Sequence, residues 1–271
     1  MPHVHVNDVR LFYEEQGAGE PLVLVHGGFS DHNNFRAVVP GLAESFRVVA
    51  YDRRGHSRSE LPAPLGSRRD QEDDLAALIE ALGLGPAHVA GTSFGSAIAL
   101  GLAARRPDLV RSLIAHEPAL PGLAAGGPAV LARIRAALAR VERGDAEGGA
   151  REFLEGVALG PGGWERLPTP IRATMVANAA AVLEEQRDPD WAAVDGDVLS
   201  SAQLPVLLTQ GGQSPTWFAE VVTALVIAIV GASVHRYPDA GHSPHITHPE
   251  AYVAAVTAFA AASREEVGAR V

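Results

Sequence analysis

The chain has 271 residues, of which 47% are apolar and 20% charged, the proportions of a globular protein with enough interior for one large domain or a domain carrying an insertion. Its 22 basic and 32 acidic side chains give a net charge of −10, and without a Lys/Arg-rich run this disfavours nucleic acid and anionic membranes as partners. The lack of cysteine removes disulfides, thiolate metal sites and thiol nucleophiles.

In chain order, the opening Met1-Pro2-His3-Val4-His5-Val6 lacks the basic start and apolar stretch of a signal peptide, so a cytoplasmic location is expected. Strands are predicted at Val9 to Glu14, Pro21 to Val25, Phe46 to Tyr51 and Ala87 to Ala90. Between them, Gln71 to Glu80 places apolar residues at helical spacing, with carboxylates in the first turn where they suit the helix dipole. Strand and helix alternating in this way predict a mostly parallel sheet with helices on both faces. A helix follows Ser93, then a strand at Leu109 to Ala115.

From Pro118 to Gln203 the texture changes to Ala, Gly and Pro, with helical stretches near Val130 to Arg143 and Ile171 to Arg187, which predicts a helical cap over 118–203 inserted in a core of 1–117 and 204–271. Strands resume at Pro205 to Thr209 and Ser233 to Tyr237, and a last helix is expected from Pro249 to Ser263. The longest apolar run, Val221 to Val230, is about ten residues against the roughly 20 that span a bilayer, so it is read as a buried helix.

The chemistry starts at Gly91-Thr92-Ser93-Phe94-Gly95, which fits G-x-S-x-G, where glycines permit a tight strand-to-helix turn and close packing around a strained serine. A predicted strand before and helix after supply the context that this short pattern needs. The glycine pair in His26-Gly27-Gly28-Phe29 follows a buried strand, where such a loop lends a backbone N–H to an oxyanion hole. Gly28 and Phe94 are the expected donors, with Phe29 as the alternative to Gly28. Among 11 histidines, His242 in Gly241-His242-Ser243-Pro244 follows the last strand and is the expected general base. His242, His245 and His248 recur every third residue, but Pro244 and Pro249 interrupt any helix that would align them, and no HExxH pattern is present, so no metal or other cofactor is expected.

These residues, together with Asp52-Arg53-Arg54-Gly55-His56-Ser57-Arg58-Ser59, resemble the α/β-hydrolase superfamily over essentially the whole length. The resemblance implies an eight-stranded sheet, a helical cap and a Ser-His-acid triad. Most members carry the acid after the strand equivalent to Pro205 to Thr209, in a Gly-x-x-Asp turn. Here that turn reads Gly211-Gly212-Gln213-Ser214, and a hydroxyl cannot supply the charge that stabilises an imidazolium. Glu117, at the end of the preceding strand, is the expected acid, and Asp239 the competitor. The haloalkane dehalogenases and zearalenone lactonases place the acid in this way, and the latter also resemble the chain at His116-Glu117, Ser214-Pro215 and the spacing of His242, Pro244, His248 and Pro249.

The implied activity is hydrolysis of a small-molecule carboxylic ester or lactone through an acyl-Ser93 intermediate. Two alternatives remain: carbon–carbon bond hydrolysis by the same triad, and a ligand receptor with residual hydrolysis. Phe153, Trp164, Met175, Trp191 and Trp217 are candidates for the pocket wall or for packing core. A homodimer is left open.

Overall fold

The computed structural model describes residues 2–193 and 204–268. Eight strands form one sheet in the order β1-β2-β4-β3-β5-β6-β7-β8, where β1 is His3–Val6, β2 Val9–Gln16, β3 Glu20–Val25, β4 Phe46–Tyr51, β5 Ala87–Thr92, β6 Val110–His116, β7 Val206–Gly211 and β8 Ser233–Tyr237. The β1–β2 and β2–β4 pairs are antiparallel and all others are parallel.

The two-residue strand period divides the core in two. In β3, Val23 and Val25 join the cluster that contains Leu75, Ile79, Ile98 and Leu102, while Leu22 and Leu24 join Phe35, Leu42, Tyr252 and Val256 on the opposite face. Val49 and Tyr51 of β4 follow the first pair, Val48 and Ala50 the second. Each helix layer therefore meets alternate residues of the same strands, as a parallel sheet covered on both sides requires. Strand order reverses at β3, which lies between β4 and β5, so the carboxyl ends of β3 and β5 open the crevice in which such sheets place their sites.

Between β6 and β7 the described chain is helical: Gly127–Glu142, Ala146–Phe153, a π turn at Leu154–Ala158, then Gly163–Arg166, Thr169–Ala177 and Ala179–Glu185. Residues 194–203 of the expected insert lie outside the described residues. Two expectations need correction. The predicted helix from Ile171 to Arg187 is two helices, broken at the buried Asn178, whose side-chain oxygen accepts from Ser57 N–H (2.8 Å) and whose amide donates to Ser30 O (2.9 Å). The Asn178 side chain thus ties the insert to two loops of the core. The apolar run from Val221 to Val230 is not buried throughout: the helix Thr216–Ala228 buries Val221, Val222 and Leu225, but Ile227 is 80% and Val230 87% exposed. A helix lying on one sheet face covers only one of its own stripes.

The Asp52-Arg53-Arg54 segment directly follows β4 and fixes the neighbouring loops. Arg54 pairs with Asp74 through two bonds (2.6 and 2.8 Å), both side chains being buried, and donates to Leu65 O (2.9 Å). Breaking a buried pair by removing one partner leaves an uncompensated charge, at a cost of about 3–5 kcal/mol. Arg54→Ala is expected to lower unfolding free energy by about that amount in urea denaturation, and a loss below about 1 kcal/mol would contradict the burial argument.

Candidate functional site

The site is assembled on the carboxyl edge of the sheet from the ends of five strands. Ser93 directly follows β5 and precedes the helix Phe94–Arg105, with φ 54° and ψ −120°, a conformation unfavourable for a side-chain-bearing residue. Its backbone is held from the next strand: Ser93 N–H donates to His116 O (2.9 Å) and Ser93 O accepts from Ala119 N–H (3.2 Å). Two glycines make the turn sterically possible. A Cβ on Gly95 would come within 2.2 Å of Val25 O, and one on Gly91 within 2.6 Å of Gly95 O. The strand-to-helix turn expected from the glycines is present, with Ser93 half-buried at its tip.

Glu117 directly follows β6 in a second strained conformation, φ 44°, its N–H donating to Thr209 O (3.0 Å). The side chain is fully buried; Oε1 accepts from Gly211 N–H (2.7 Å) and Oε2 from His242 Nδ1–H (2.5 Å). Burial favours the neutral acid, but charge from His116, the His242 hydrogen bond and charge, and the nearby Ser214 hydroxyl outweigh it and lower the Glu117 pKa to about 2. Burial lowers the His116 pKa to about 4, so at neutral pH that ring is uncharged and the hydrogen bonds from His242 and Gly211 sustain the carboxylate. Ser214 Oγ approaches without completing a hydrogen bond. The turn after β7 thus gives an N–H to an acid that arrives from β6. Asp239 is exposed in the turn beyond β8.

His242 is almost fully buried, its ring stacked on Phe218 with centroids 4.3 Å apart. Ser93, His242 and Gly28 all line two cavities. The outer cleft, about 470 Å³, has an apolar wall including Phe153, Ile171 and Met175 and a polar rim including Asp31, Asn34 and Arg36. The inner chamber, about 30 Å³, is lined by Ile134, Val182, Trp191, Trp217 and Phe94, with Glu185 also in its wall. Of the five aromatic and Met candidates, Trp164 lines neither cavity and is buried, with the Arg172 guanidinium 6.0 Å from its ring centre. The π turn contributes Leu154 and Ala158 to the outer wall, and its Val157 carbonyl accepts Trp217 Nε1–H (3.0 Å).

The glycine loop is held from beneath. His26 Nε2 accepts from Arg53 N–H (3.0 Å), so Nδ1 carries the proton and donates to Gly27 O (2.8 Å). Burial, with the charge of Arg53 behind it, keeps the His26 pKa well below its usual value and the ring neutral. Phe29, not Gly28, takes the left-handed conformation in this loop (φ 60°), its ring buried against Phe153 at 4.8 Å. Gly28 is the loop residue that reaches both cavities. Phe94, first in its helix, has an N–H that no helical carbonyl takes up.

Among the described residues, two trios bring possible metal-binding atoms within 4.8 Å of one another: His116-Glu117-His242 and Asp31-His32-Asp52. In the first, His242 and Glu117 are already joined by a hydrogen bond. In the second, Asp52 accepts from His32 N–H (2.8 Å), His32 Nδ1–H (2.6 Å) and Arg58 N–H (3.1 Å), and Asp31 accepts from Asn33 and Ser57. These are the bonds of a loop clasp.

The description that matches residues 20–249 is that of the alpha/beta hydrolase fold, and the chain belongs to that family. It is 31% identical to the pimeloyl-[acyl-carrier protein] methyl ester esterase of Methylococcus capsulatus over 93% of this chain and 99% of that one. It is 41% identical to the 2-hydroxymuconate semialdehyde hydrolase of Pseudomonas sp. (strain CF600), over 39% of each chain. The chain spans less than half the length of the curated relatives it matches at such identities, 44% and 39% for two of them. In fold it is similar to the enol-lactonase of Burkholderia xenovorans LB400, with a TM-score of 0.76 at 24% identity over 95% of this chain and 99% of that one. No helix among the described residues is long and apolar enough to cross a membrane.

Burial lowers the pKa of His32, but the hydrogen bond and charge of Asp52, with charge from Asp31 and Glu14, outweigh it and leave the pKa above 6.5. A raised pKa contributes stability that is complete below pH 6.5, the unfolded value, and disappears as pH rises through the folded one. Thermal stability is expected to fall as pH is raised from 6 toward 8. His32→Gln should flatten that slope; an unchanged slope in melts across the range would show that another group sets it.

Proposed function

We propose that the protein is a serine hydrolase of carboxylic esters or lactones in which Ser93 is the nucleophile, His242 the base and Glu117 the acid, with the N–H groups of Gly28 and Phe94 as oxyanion donors. The observation that carries this reading is the 2.5 Å bond from His242 Nδ1–H to a buried, ionised Glu117, at the wall of a cleft that also contains the strained Ser93. With Nδ1 bonded to the carboxylate, Nε2 is the free acceptor. Ser93 Oγ attacks the carbonyl carbon as His242 Nε2 takes its proton, and Glu117 stabilises the imidazolium. The tetrahedral oxyanion takes the Gly28 and Phe94 N–H bonds, and collapse expels the alcohol, protonated by His242. Water, deprotonated by the same nitrogen, attacks the acyl-Ser93 carbonyl and releases the acid.

The helices between β6 and β7 act in this reading as the cap over the cleft, as their residues Phe153, Leu154 and Met175 support by lining it. The relative named an ester esterase over nearly its whole length favours ester cleavage. The relative named a semialdehyde hydrolase supports carbon–carbon cleavage as the second reading, over a shorter match. The narrower likeness to zearalenone lactonases rests on His116-Glu117, Ser214-Pro215 and the histidine and proline spacing alone. Assaying aryl esters, lactones and a vinylogous diketone ring-cleavage product side by side separates the readings, and multiple turnover separates an enzyme from a receptor.

Ser93→Ala is expected to fold normally and lose about 10⁶ in rate constant, as removal of a triad nucleophile does. A fluorophosphonate should label the parent at Ser93. Parental activity in Ser93→Ala would sink the mechanism.

The acid is tested by Glu117→Gln, which keeps the side-chain size but removes the charge, with an expected kcat loss of about 10⁴. Asp239→Asn should stay near the parental rate. If the two variants assayed on one ester behave the other way round, the assignment of the acid fails.

A further inference from the structure

Beneath the glycine loop lies a buried cation that no step above employs. Arg53 is 1% exposed and spends its donors on one region: Nε–H donates to His26 O (3.0 Å), Nη2–H to Gly27 O (3.1 Å) and, at 3.3 Å, towards His56 Nε2. Nη1–H donates to Gln71 Oε1 and to Glu185 Oε1, the latter being the last residue of the helix Ala179–Glu185 in the insert. Gln71 Nε2–H donates to the same Glu185 oxygen (3.1 Å). The guanidinium also lies 5.1 Å from the ring centre of Phe94. One cation therefore touches both residues whose N–H groups are the proposed oxyanion donors, or their immediate peptide.

The geometry of the peptide unit makes this consequential. The Gly27 carbonyl and the Gly28 N–H are two ends of one plane and point in opposite directions when the bond is trans. Holding the oxygen by an arginine fixes where the N–H points. A donor bearing a full charge makes the stronger kind of hydrogen bond, and a bond to the carbonyl polarises the N–H at its other end. Unlike His26, which holds the same carbonyl as a neutral ring, Arg53 brings a charge. That charge is matched by Glu185, a carboxylate 2% exposed that also lines the inner chamber.

Resting on the serine-hydrolase reading, we propose that Arg53, clamped by Glu185 of the helical insert, is a positioning residue for the oxyanion hole: it orients and polarises the Gly27–Gly28 peptide, so that oxyanion stabilisation depends on docking of the Ala179–Glu185 helix. Arg53 lines neither cavity. Its effect falls on the tetrahedral state, in which charge has developed on the carbonyl oxygen, and leaves ground-state binding unchanged. A merely structural arginine would alter folding, or KM and kcat together.

The test compares parent, Arg53→Gln, Arg53→Lys and Glu185→Gln on one aryl ester. kcat, KM, labelling of Ser93 by a fluorophosphonate, and inhibition by a trifluoromethyl ketone, whose hemiketal oxygen occupies the hole, are read with thermal melts as the folding control. Loss of a whole oxyanion donor costs about 10²–10³ in kcat, so misorienting one is expected to cost Arg53→Gln about 10- to 100-fold with KM within about twofold. Trifluoromethyl ketone binding should weaken by the same factor. Arg53→Lys keeps the charge but cannot grip two carbonyls in one plane, and is expected to lose part of this; Glu185→Gln, which leaves Nη1 its acceptor but removes the matching charge, should shift the same two quantities by a smaller factor. If Arg53→Gln does not fold, the lysine and Glu185 variants decide. A parent labelled at Ser93 beside folded variants with parental kcat and inhibitor affinity, or with losses confined to KM, overturns the inference alone. A parent that turns over ester without labelling overturns the Ser93 reading and with it the inference.

Discussion

Keeping a carboxylate charged in the dry space behind His242 is the constraint around which this end of the molecule is organised. Glu117 has no exposure, and burial alone would favour its neutral form. The chain answers with donors: His242 on one oxygen and the Gly211 N–H on the other. Gly211 closes β7, where a Cβ would lie 2.7 Å from Ser214 Oγ and 2.4 Å from Gly241 O. The turn after β7 thus offers backbone and a hydroxyl, and the carboxylate enters from the end of the adjacent strand β6. Reaching that place puts Glu117 at φ 44°, a conformation that costs on the order of 1–3 kcal/mol and persists only where surrounding bonds enforce it. The bond from its N–H to Thr209 O does so.

The same edge holds Ser93 by similar means. The His116 carbonyl accepts both Ser93 N–H and Ser96 Oγ–H (2.9 and 3.0 Å), so Ser93 and Glu117 are joined through a single peptide at the end of β6. Displacement of one strand end would move both. The insert is fastened to this platform at separate points: Asn178 bonds the Ser30 and Ser57 loops, Trp217 reaches the π turn, and Asp188 accepts from Arg68 N–H (2.8 Å). Such ties hold the helices between β6 and β7 in register with the strand ends that carry Ser93 and Glu117.

Much of this was legible in the sequence because the signals were local. Strands such as Phe46–Tyr51 and Ser233–Tyr237 carry β-rich runs bounded by turn residues, and the structure keeps those bounds. Ser93 was marked by two glycines whose missing Cβ atoms are needed within a few residues of the serine itself. Glu117 is reached from its place at a strand end and from the resemblance to families that put the acid there, once the turn after the next strand offers no carboxylate. The break at Asn178 carried no local signal: Val176, Ala177, Ala179 and Ala180 around it read as uninterrupted helix, and what stops the helix is a pair of bonds to loops 121 and 148 residues away in sequence. The exposed Ile227 and Val230 show the opposite failure, where an apolar run implied burial that one sheet face could not provide.

Arg53 and Arg54 make the limit concrete. They are adjacent, identical in side chain and both buried, yet one turns inward beneath the glycine loop and the other grips Asp74 on the neighbouring helix. Both lie just past the end of β4, where the chain turns, and which of them meets the glycine loop follows from the register of β4 against β3, while the partner Glu185 arrives from 132 residues downstream. An arginine pair after a strand therefore announces two buried cations without saying what either one serves. The distinction resides in which carbonyls each guanidinium meets, and for Arg53 these belong to His26 and Gly27, immediately before Gly28, which lines both cavities.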